Sequence, residues 1–279
     1  MDEAARIEKF HRFKALHEAP GCFVLPNAWD AGSSRILTAL GFDAIATTSA
    51  GFAFSVGRRD SAANLSRAEI LANASAIADA TPLPVSADLE DGFGEAPDAC
   101  AQTIRLAADC GLIGGTLEDA TGDRACPIYD IARATDRIAA ASAAAKAARF
   151  VLTARAENFL WGRPDLDDTI TRLRAFSKAG ADVLYAPGLP NLEAIRAVCE
   201  AVDKPVNVVM GLRGTAYSVE ALRSAGVKRI SVGGSFARAA LGAFVRAASE
   251  VKDRGTFDYA KDAIADADAA AFMADVKRS

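Results

Sequence analysis

The sequence predicts a (β/α)8 TIM-type barrel, and three observations carry that prediction. Four times along the chain a helical pattern ends in glycine and gives way at once to a short apolar run. Eight such runs, separated by helical patterns, fit within one chain of 279 residues, and eight βα units are what a closed barrel needs. No GxGxxG follows the first run, which argues against the doubly wound sheet that is the alternative architecture. With 51% hydrophobic and 24% charged residues the chain can bury a single core. One domain is expected over residues 1–279, with an N-terminal helix at 1–19, the barrel at 20–254 and an extra helix at 258–277.

In order, residues 1–19 read as a charged amphipathic helix that carries both histidines, His11 and His17. The first apolar run is 22–26. Gly41 leads into 42–49, and 84–90 enters after Pro82. Gly111 leads into 112–118, and 149–155 follows. Gly180 precedes 181–186, then come 205–210 and, after Gly226, 227–232. The four glycines stand where a helix end needs a left-handed residue before the next strand. After Phe236 a helical pattern continues to about Lys252, and the Asp- and Ala-rich pattern over 258–277 lies beyond the eighth unit.

The net charge of −4, with Lys and Arg scattered, gives no basis for a nucleic-acid or membrane partner. No secretory or transit pattern and no long uncharged apolar run is present, which reads as a cytoplasmic protein. Cys22, Cys100, Cys110, Cys126 and Cys199 are odd in number and form no CxxC pair, so neither a disulfide framework nor a zinc cluster is expected. Both histidines lie in the first helix, which leaves no place for a histidine triad or histidine metal site.

The stretch Asp88-Leu89-Glu90-Asp91-Gly92-Phe93-Gly94 is a buried strand ending in acid. Side chains alternate along a strand, so Asp88 and Glu90 are expected on one side and Leu89 and Asp91 on the other. Converging carboxylates need a cation, a proton or an arginine between them, and an oxygen-only set suits Mg2+ or Mn2+. Barrel enzymes build their sites at the C-terminal ends of the strands. Those ends carry Asn27 and Asp30; Thr48, Ser49 and Gly51; Asp88 and Glu90; Glu118 and Asp119; Arg155 and Glu157; Tyr185; Asn207; and Gly233, Gly234 and Ser235. Asp88 and Glu90 beside Glu118 make a candidate divalent-metal site, and Arg155 a candidate bidentate grip on a substrate carboxylate. The bland alternative is that these acids cap helices or pair with Arg155 as a structural network.

Thr48-Ser49-Ala50-Gly51, Gly57-Arg58-Arg59-Asp60, the Asp88 to Gly94 stretch, Leu117-Glu118-Asp119 and Thr153-Ala154-Arg155-Ala156-Glu157 together resemble the isocitrate lyase/phosphoenolpyruvate mutase superfamily, in the same order over about residues 20–250. The resemblance implies an Mg2+-dependent barrel acting on small 2-oxo or 2-hydroxy carboxylates through a metal-stabilised enolate. It implies that Asp88, Glu90 and Glu118 hold the metal, partly through water. Arg155 and the backbone amides of Ser49, Ala50 and Gly51 would bind the substrate carboxylate, and Asp60 would stand beside the metal shell as a catalytic group. Tyr185 and Asn207 would add substrate contacts. The superfamily often assembles as a dimer or dimer of dimers that exchanges a C-terminal helix, the role implied for 258–277; packing on its own barrel is the alternative.

The chain departs from the superfamily in the loop after Glu118. Lyases there carry Lys-Lys/Arg-Cys-Gly-His with the cysteine as acid; here Cys126 has a similar spacing, but Pro127 and Ile128 follow it and the basic and histidine neighbours are missing. A neutral thiol could still donate a proton, so Cys126 is kept as a catalytic candidate beside the reading of an incidental loop cysteine. The mutase loop is absent too, and Tyr185-Ala186-Pro187-Gly188 stands where that branch has a histidine. Gly233-Gly234-Ser235 reads as a barrel phosphate cradle or as a tight turn with a helix cap. Three functions remain: a carbon–carbon lyase or decarboxylase of the methylisocitrate lyase or oxaloacetate decarboxylase kind, a phosphonopyruvate-type mutase or hydrolase, and a 2-oxo acid binding barrel with little turnover.

Overall fold

The computed structural model describes residues 3–60, 65–212 and 214–274. Within them the strands are β1 (Phe23–Leu25), β2 (Asn27–Ala28), β3 (Ile45–Thr47), β4 (Val85–Asp88), β5 (Gly114–Glu118), β6 (Val151–Arg155), β7 (Val183–Tyr185), β8 (Val206–Val209) and β9 (Arg229–Ser231). All pair in parallel in the order β1-β9-β8-β7-β6-β5-β4-β3-β2. The first expected strand, 22–26, thus stops before Pro26, which has no N–H to give to a ladder, and the short β2 follows directly beyond it. β1 pairs with β9 and β2 with β3, so the two pieces together bring the sheet round on itself. The Pro26 carbonyl still serves, accepting the Ala46 N–H at 2.8 Å.

The helices are α1 (Glu3–Glu18), α2 (Ala31–Ala39), α3 (Ser49–Ser55), α4 (Arg67–Asp79), α5 (Pro97–Asp109), α6 (Ile131–Ala147), α7 (Leu166–Lys178), α8 (Leu192–Ala201), α9 (Val219–Ser224), α10 (Ser235–Arg254) and α11 (Asp266–Phe272). Most begin on a short polar side chain that accepts a first-turn N–H: Asp30 caps α2, Thr48 α3, Ser66 α4, Asp130 α6, Asp165 α7, Asn191 α8 and Ser218 α9. Asp30, one of the strand-end acids, therefore takes the capping alternative. The glycine grammar holds as well, with φ of 83° at Gly41, 85° at Gly111, 101° at Gly180 and 92° at Gly226.

Two apolar layers result. One lies between strands and helices and includes Leu89, Leu112, Leu152, Phe176 and Leu184; each fully buried side chain of this size contributes roughly 1.5–3 kcal/mol over leaving it exposed. The other fills the bottom of the barrel, where Phe13 of α1 packs on Leu25, Ala44, Ile113, Val151 and Val183. Among the described residues no helix is long and apolar enough to cross a membrane.

The terminal helix expected as one element is not continuous. A 3-10 turn (Asp258–Asp262) is followed by extended residues Ala263 and Ala265 and then by the short α11. The segment has no buried residue to favour a longer helix, and helices are stabilised mainly by packing an apolar face. Its end rests on its own barrel, where Arg35 of α2 donates to the Met273 and Ala274 carbonyls at 2.8 and 2.9 Å. Residues 275–277 of the expected helix lie outside the described residues.

Candidate active site

Arg155, the last residue of β6, gathers the mouth of the barrel. Its Nη1 lies 3.4 Å from Asp88 Oδ1 and its Nη2 3.2 Å from Glu118 Oε2. Nη2 and Nε converge on Glu157 Oε1 at 2.7 and 2.8 Å. The Tyr185 ring, from the adjacent strand, stands 5.0 Å from the guanidinium carbon. Asp88 is also held by Ser49, whose Oγ and backbone N–H donate to Oδ2 at 2.9 and 3.3 Å, and by Thr116, whose hydroxyl donates to Oδ1 at 3.3 Å.

Glu90 arrives differently from the expectation. The strand ends at Asp88, and Glu90 adopts a left-handed backbone with φ 47°, so strict alternation does not aim it. It is brought close to Asp88 by the turn, while Leu89 is buried in the core as foreseen. Burial first, then Asp88, Asp91 and Asp60, push the Glu90 carboxyl up to about 8. Glu118 is raised well above the carboxylate range by burial and then by Glu157. Glu157 is raised by its own burial despite Arg155, and Asp60, at the rim, is raised by partial desolvation and by Asp88. The mouth holds more negative charge than Arg155 can balance.

Two neighbours fix this arrangement from behind. Asp119 is buried, its Oδ1 accepting the Glu157 N–H at 2.8 Å and its Oδ2 an Arg172 Nη1–H at 3.0 Å. Below the mouth a cavity of about 60 Å³ runs into the barrel, lined by Asn27, Thr47, Asp88, Thr116, Arg155, Tyr185, Asn207, Arg229 and Ser231 among others. Asn27 is committed to structure: its Oδ1 accepts the Val232 and Gly233 N–H groups, each at 2.9 Å, which favours the turn reading of the Gly233 segment.

Of the residues singled out in the sequence, Ser49, Asp60, Asp88, Glu90, Glu118, Arg155, Tyr185 and Asn207 come together around the mouth and cavity. Ala50 and Gly51 lie in the first turn of α3, the Gly51 N–H donating to Thr48 Oγ1 at 3.2 Å. Cys126 is not brought in: it is exposed on the loop after β5, with its thiol 3.9 Å from the Ile128 carbonyl oxygen. Among the described residues no three acidic, cysteine or histidine side chains are placed as a ready-made metal cage. One participant was missed: Arg229 looked like one of two adjacent charges, Lys228 and Arg229, at the start of a strand. Glu157, placed at the strand end with Arg155, takes the alternative of pairing with that arginine.

Fold and mouth together define an α/β barrel whose strand ends gather carboxylates around an arginine. The family profile for phosphoenolpyruvate phosphomutase matches residues 13–252, and the chain belongs to that family, within the isocitrate lyase/phosphoenolpyruvate mutase superfamily. A crystal structure from Burkholderia cenocepacia, provisionally assigned as a lyase/mutase, superimposes with a TM-score of 0.95 at 52% identity over 98% of both chains. An uncharacterized protein of Mycobacterium tuberculosis is 33% identical over 86% of this chain and 89% of its own length. The 2,3-dimethylmalate lyase of Eubacterium barkeri is 27% identical over 72% of this chain and 69% of its own length.

Proposed function

We infer that this protein is an Mg2+-dependent lyase that cleaves a carbon–carbon bond, or decarboxylates, a small 2-oxo or 2-hydroxy carboxylate. The observation that carries this is the crowding of carboxylates at the mouth, where Asp88, Glu118 and Glu157 all lie within 3.4 Å of the one Arg155 guanidinium and burial and neighbouring acids push Glu90 up to about 8. An all-oxygen donor set with surplus negative charge fits a hard divalent ion. Asp88, Glu90 and Glu118 would hold Mg2+ or Mn2+, partly through water, in keeping with the reluctance of Mg2+ to shed its waters. When bound, the ion supplies positive charge against the negative charge that develops on the substrate's carbonyl oxygen.

The chain's own groups do the rest. Arg155, held in place by Glu157, would turn its guanidinium to the substrate carboxylate, and the amides of Ser49, Ala50 and Gly51 would serve the same group once the Ser49 and Gly51 N–H groups leave Asp88 Oδ2 and Thr48 Oγ1, which they reach at 3.3 and 3.2 Å. Asp60, raised at the rim, is suited to hold or pass a proton. Cys126 remains the candidate acid of the loop after β5, and full turnover in Cys126→Ala would remove it.

A homo-oligomer, dimer or dimer of dimers, is supported by Leu241, Phe244 and Val245, exposed large apolar residues spaced along one face of α10. The five free cysteines suit the reducing cytoplasm. The family's own description favours phosphonopyruvate-type mutase or hydrolase chemistry as the second function, against which Tyr185 occupies the position where that branch has a histidine. Calorimetric titration of oxalate, an enolate-like dianion, into metal-stripped protein tests the lyase reading. Binding should require Mg2+ and vanish in Asp88→Ala; binding that ignores the metal, or none at all, would overturn it.

A further inference from the structure

Arg229, at the start of β9, is 1% exposed and has no carboxylate partner among the described residues. Its Nε donates to Asn207 Oδ1 at 2.8 Å and its Nη2 to Thr153 Oγ1 at 2.9 Å. Its Nη1 lies 3.3 Å from His17 Nε2, and His17 Nδ1 lies 2.8 Å from the Phe13 carbonyl oxygen. The carbonyl needs a donor, so the His17 proton is assigned to Nδ1 and Nε2 accepts from Arg229. All three acceptors are neutral. A guanidinium has five N–H groups and a full charge, so two donors and the charge itself are left over. A buried charge without a counter-ion is costly, and burial accordingly draws the Arg229 pKa down to about 9.

The leftover charge faces a space. Arg229, Asn207 and Ser231 line the same cavity as Asp88, Arg155 and Tyr185. Glu118, Arg155, Tyr185, Asn207 and Arg229 are successive register partners across β5 to β9, so they share one face of the sheet, and in a tilted barrel such a row winds from mouth to floor. Asn207 ties the floor together, donating to Ser231 Oγ at 3.0 Å while accepting from Arg229. The cavity's roughly 60 Å³ has room for a carboxylate-sized group, since by that measure a water needs on the order of 10–15 Å³.

We propose that Arg229, with Asn207 and Ser231, forms a second anion subsite that takes the distal carboxylate of a dicarboxylate whose 2-oxo or 2-hydroxy head sits at Asp88 and Arg155. This rests on the lyase reading and narrows its substrates to dicarboxylates. A monocarboxylate with the same head leaves the buried cation unpaired, and sites built around a buried polar group discriminate strongly against ligands that lack its partner.

The test is calorimetric binding of lactate and malate, which share a 2-hydroxycarboxylate head and differ by one carboxylate, to the Mg2+-loaded full chain, with oxalate alongside. Malate should bind at least tenfold more tightly than lactate, and that ratio should fall to within twofold in Arg229→Gln and in Asn207→Asp. The second variant sets a carboxylate beside the guanidinium with almost no change of shape, which keeps the test open should the first fail to fold. A ratio retained in a folded variant overturns the subsite, as does a wild-type protein that binds both acids equally or neither. Mg2+-dependent oxalate binding in that wild type would leave the lyase reading standing; its loss as well would sink both.

Discussion

Two nitrogens of Arg155, Nε and Nη2, converge on a single oxygen of Glu157, 2.8 and 2.7 Å away. Glu157 is itself anchored, its N–H donating to buried Asp119 and Asp119 pairing with Arg172. The guanidinium that is to meet a substrate carboxylate is therefore oriented by a chain of buried charges running back into α7. Asp88 and Glu118 compete for the same guanidinium at longer range, so a cation or substrate entering the mouth changes partners that Glu157 keeps aligned.

Glu157→Gln should accordingly lower kcat/KM by roughly 10–100-fold, because misplacing a positioning group costs about that much, while oxalate binding with Mg2+ persists. Steady-state kinetics on the 2-oxo or 2-hydroxy acid that the wild type turns over checks it. A variant within twofold of wild type would show that Arg155 needs no orienting partner.

Mg2+ affinity should rise with pH between about 6 and 8. Glu90 is protonated in the metal-free protein up to about 8, and a ligand carboxylate must give up that proton to bind metal. One displaced proton corresponds to roughly tenfold in affinity per pH unit. Titrations in buffers of different ionisation enthalpy should count at least one proton released per ion, since Glu118 is raised as well, and Glu90→Gln should lower that count. Affinity independent of pH would argue that Glu90 stays outside the ion's surroundings.

The barrel was legible in the sequence because its grammar is local: Gly41, Gly111, Gly180 and Gly226 end helices by themselves, whatever those helices later touch. The acids of the mouth were legible because strand ends place them, and Asp88 sits where the strand count puts it. What was not legible depended on register and docking. Arg229 follows Lys228, and nothing local says that one turns outward while the other enters the barrel; the pairing of Asn207 with Arg229 decides it. Glu90 left the strand through a left-handed turn that the alternation argument ignores. The 258–277 pattern looked helical from Ala content alone, yet gives its helix no buried side to lean on.

His17 should make the fold acid-sensitive. Burial first, then Arg229, hold its pKa near 3, below the 6.5 of an unfolded chain. Between those values the unfolded state binds a proton that the native state refuses, so this contribution to stability is full above 6.5 and is lost as pH falls toward 3. From pH 7 to 4.5 the loss from this one group is roughly 2–3 kcal/mol. The raised carboxylates Glu90 and Glu118 act in the opposite direction, so the measurement is the difference between wild type and His17→Gln, which keeps an acceptor for Arg229 and a donor for Phe13. Urea midpoints at the two pH values should show the variant losing less by that amount; equal losses would mean that His17 takes up a proton in the folded protein.

The apolar face of α10 yields the last prediction. Phe244 is 69% and Val245 59% exposed, with Leu241 one turn earlier at 41%, a spacing that places them side by side on a helix. Water contact with three large apolar side chains is costly, and a second copy of this chain offers the same stripe to cover it. Phe244→Asp should therefore reduce the mass measured by light scattering by at least half, while leaving the circular dichroism of the barrel unchanged because nothing in the core rests on that face. An unchanged mass in the variant would place the subunit contact elsewhere, and a wild-type monomer would mean that the stripe has no copy of itself to meet.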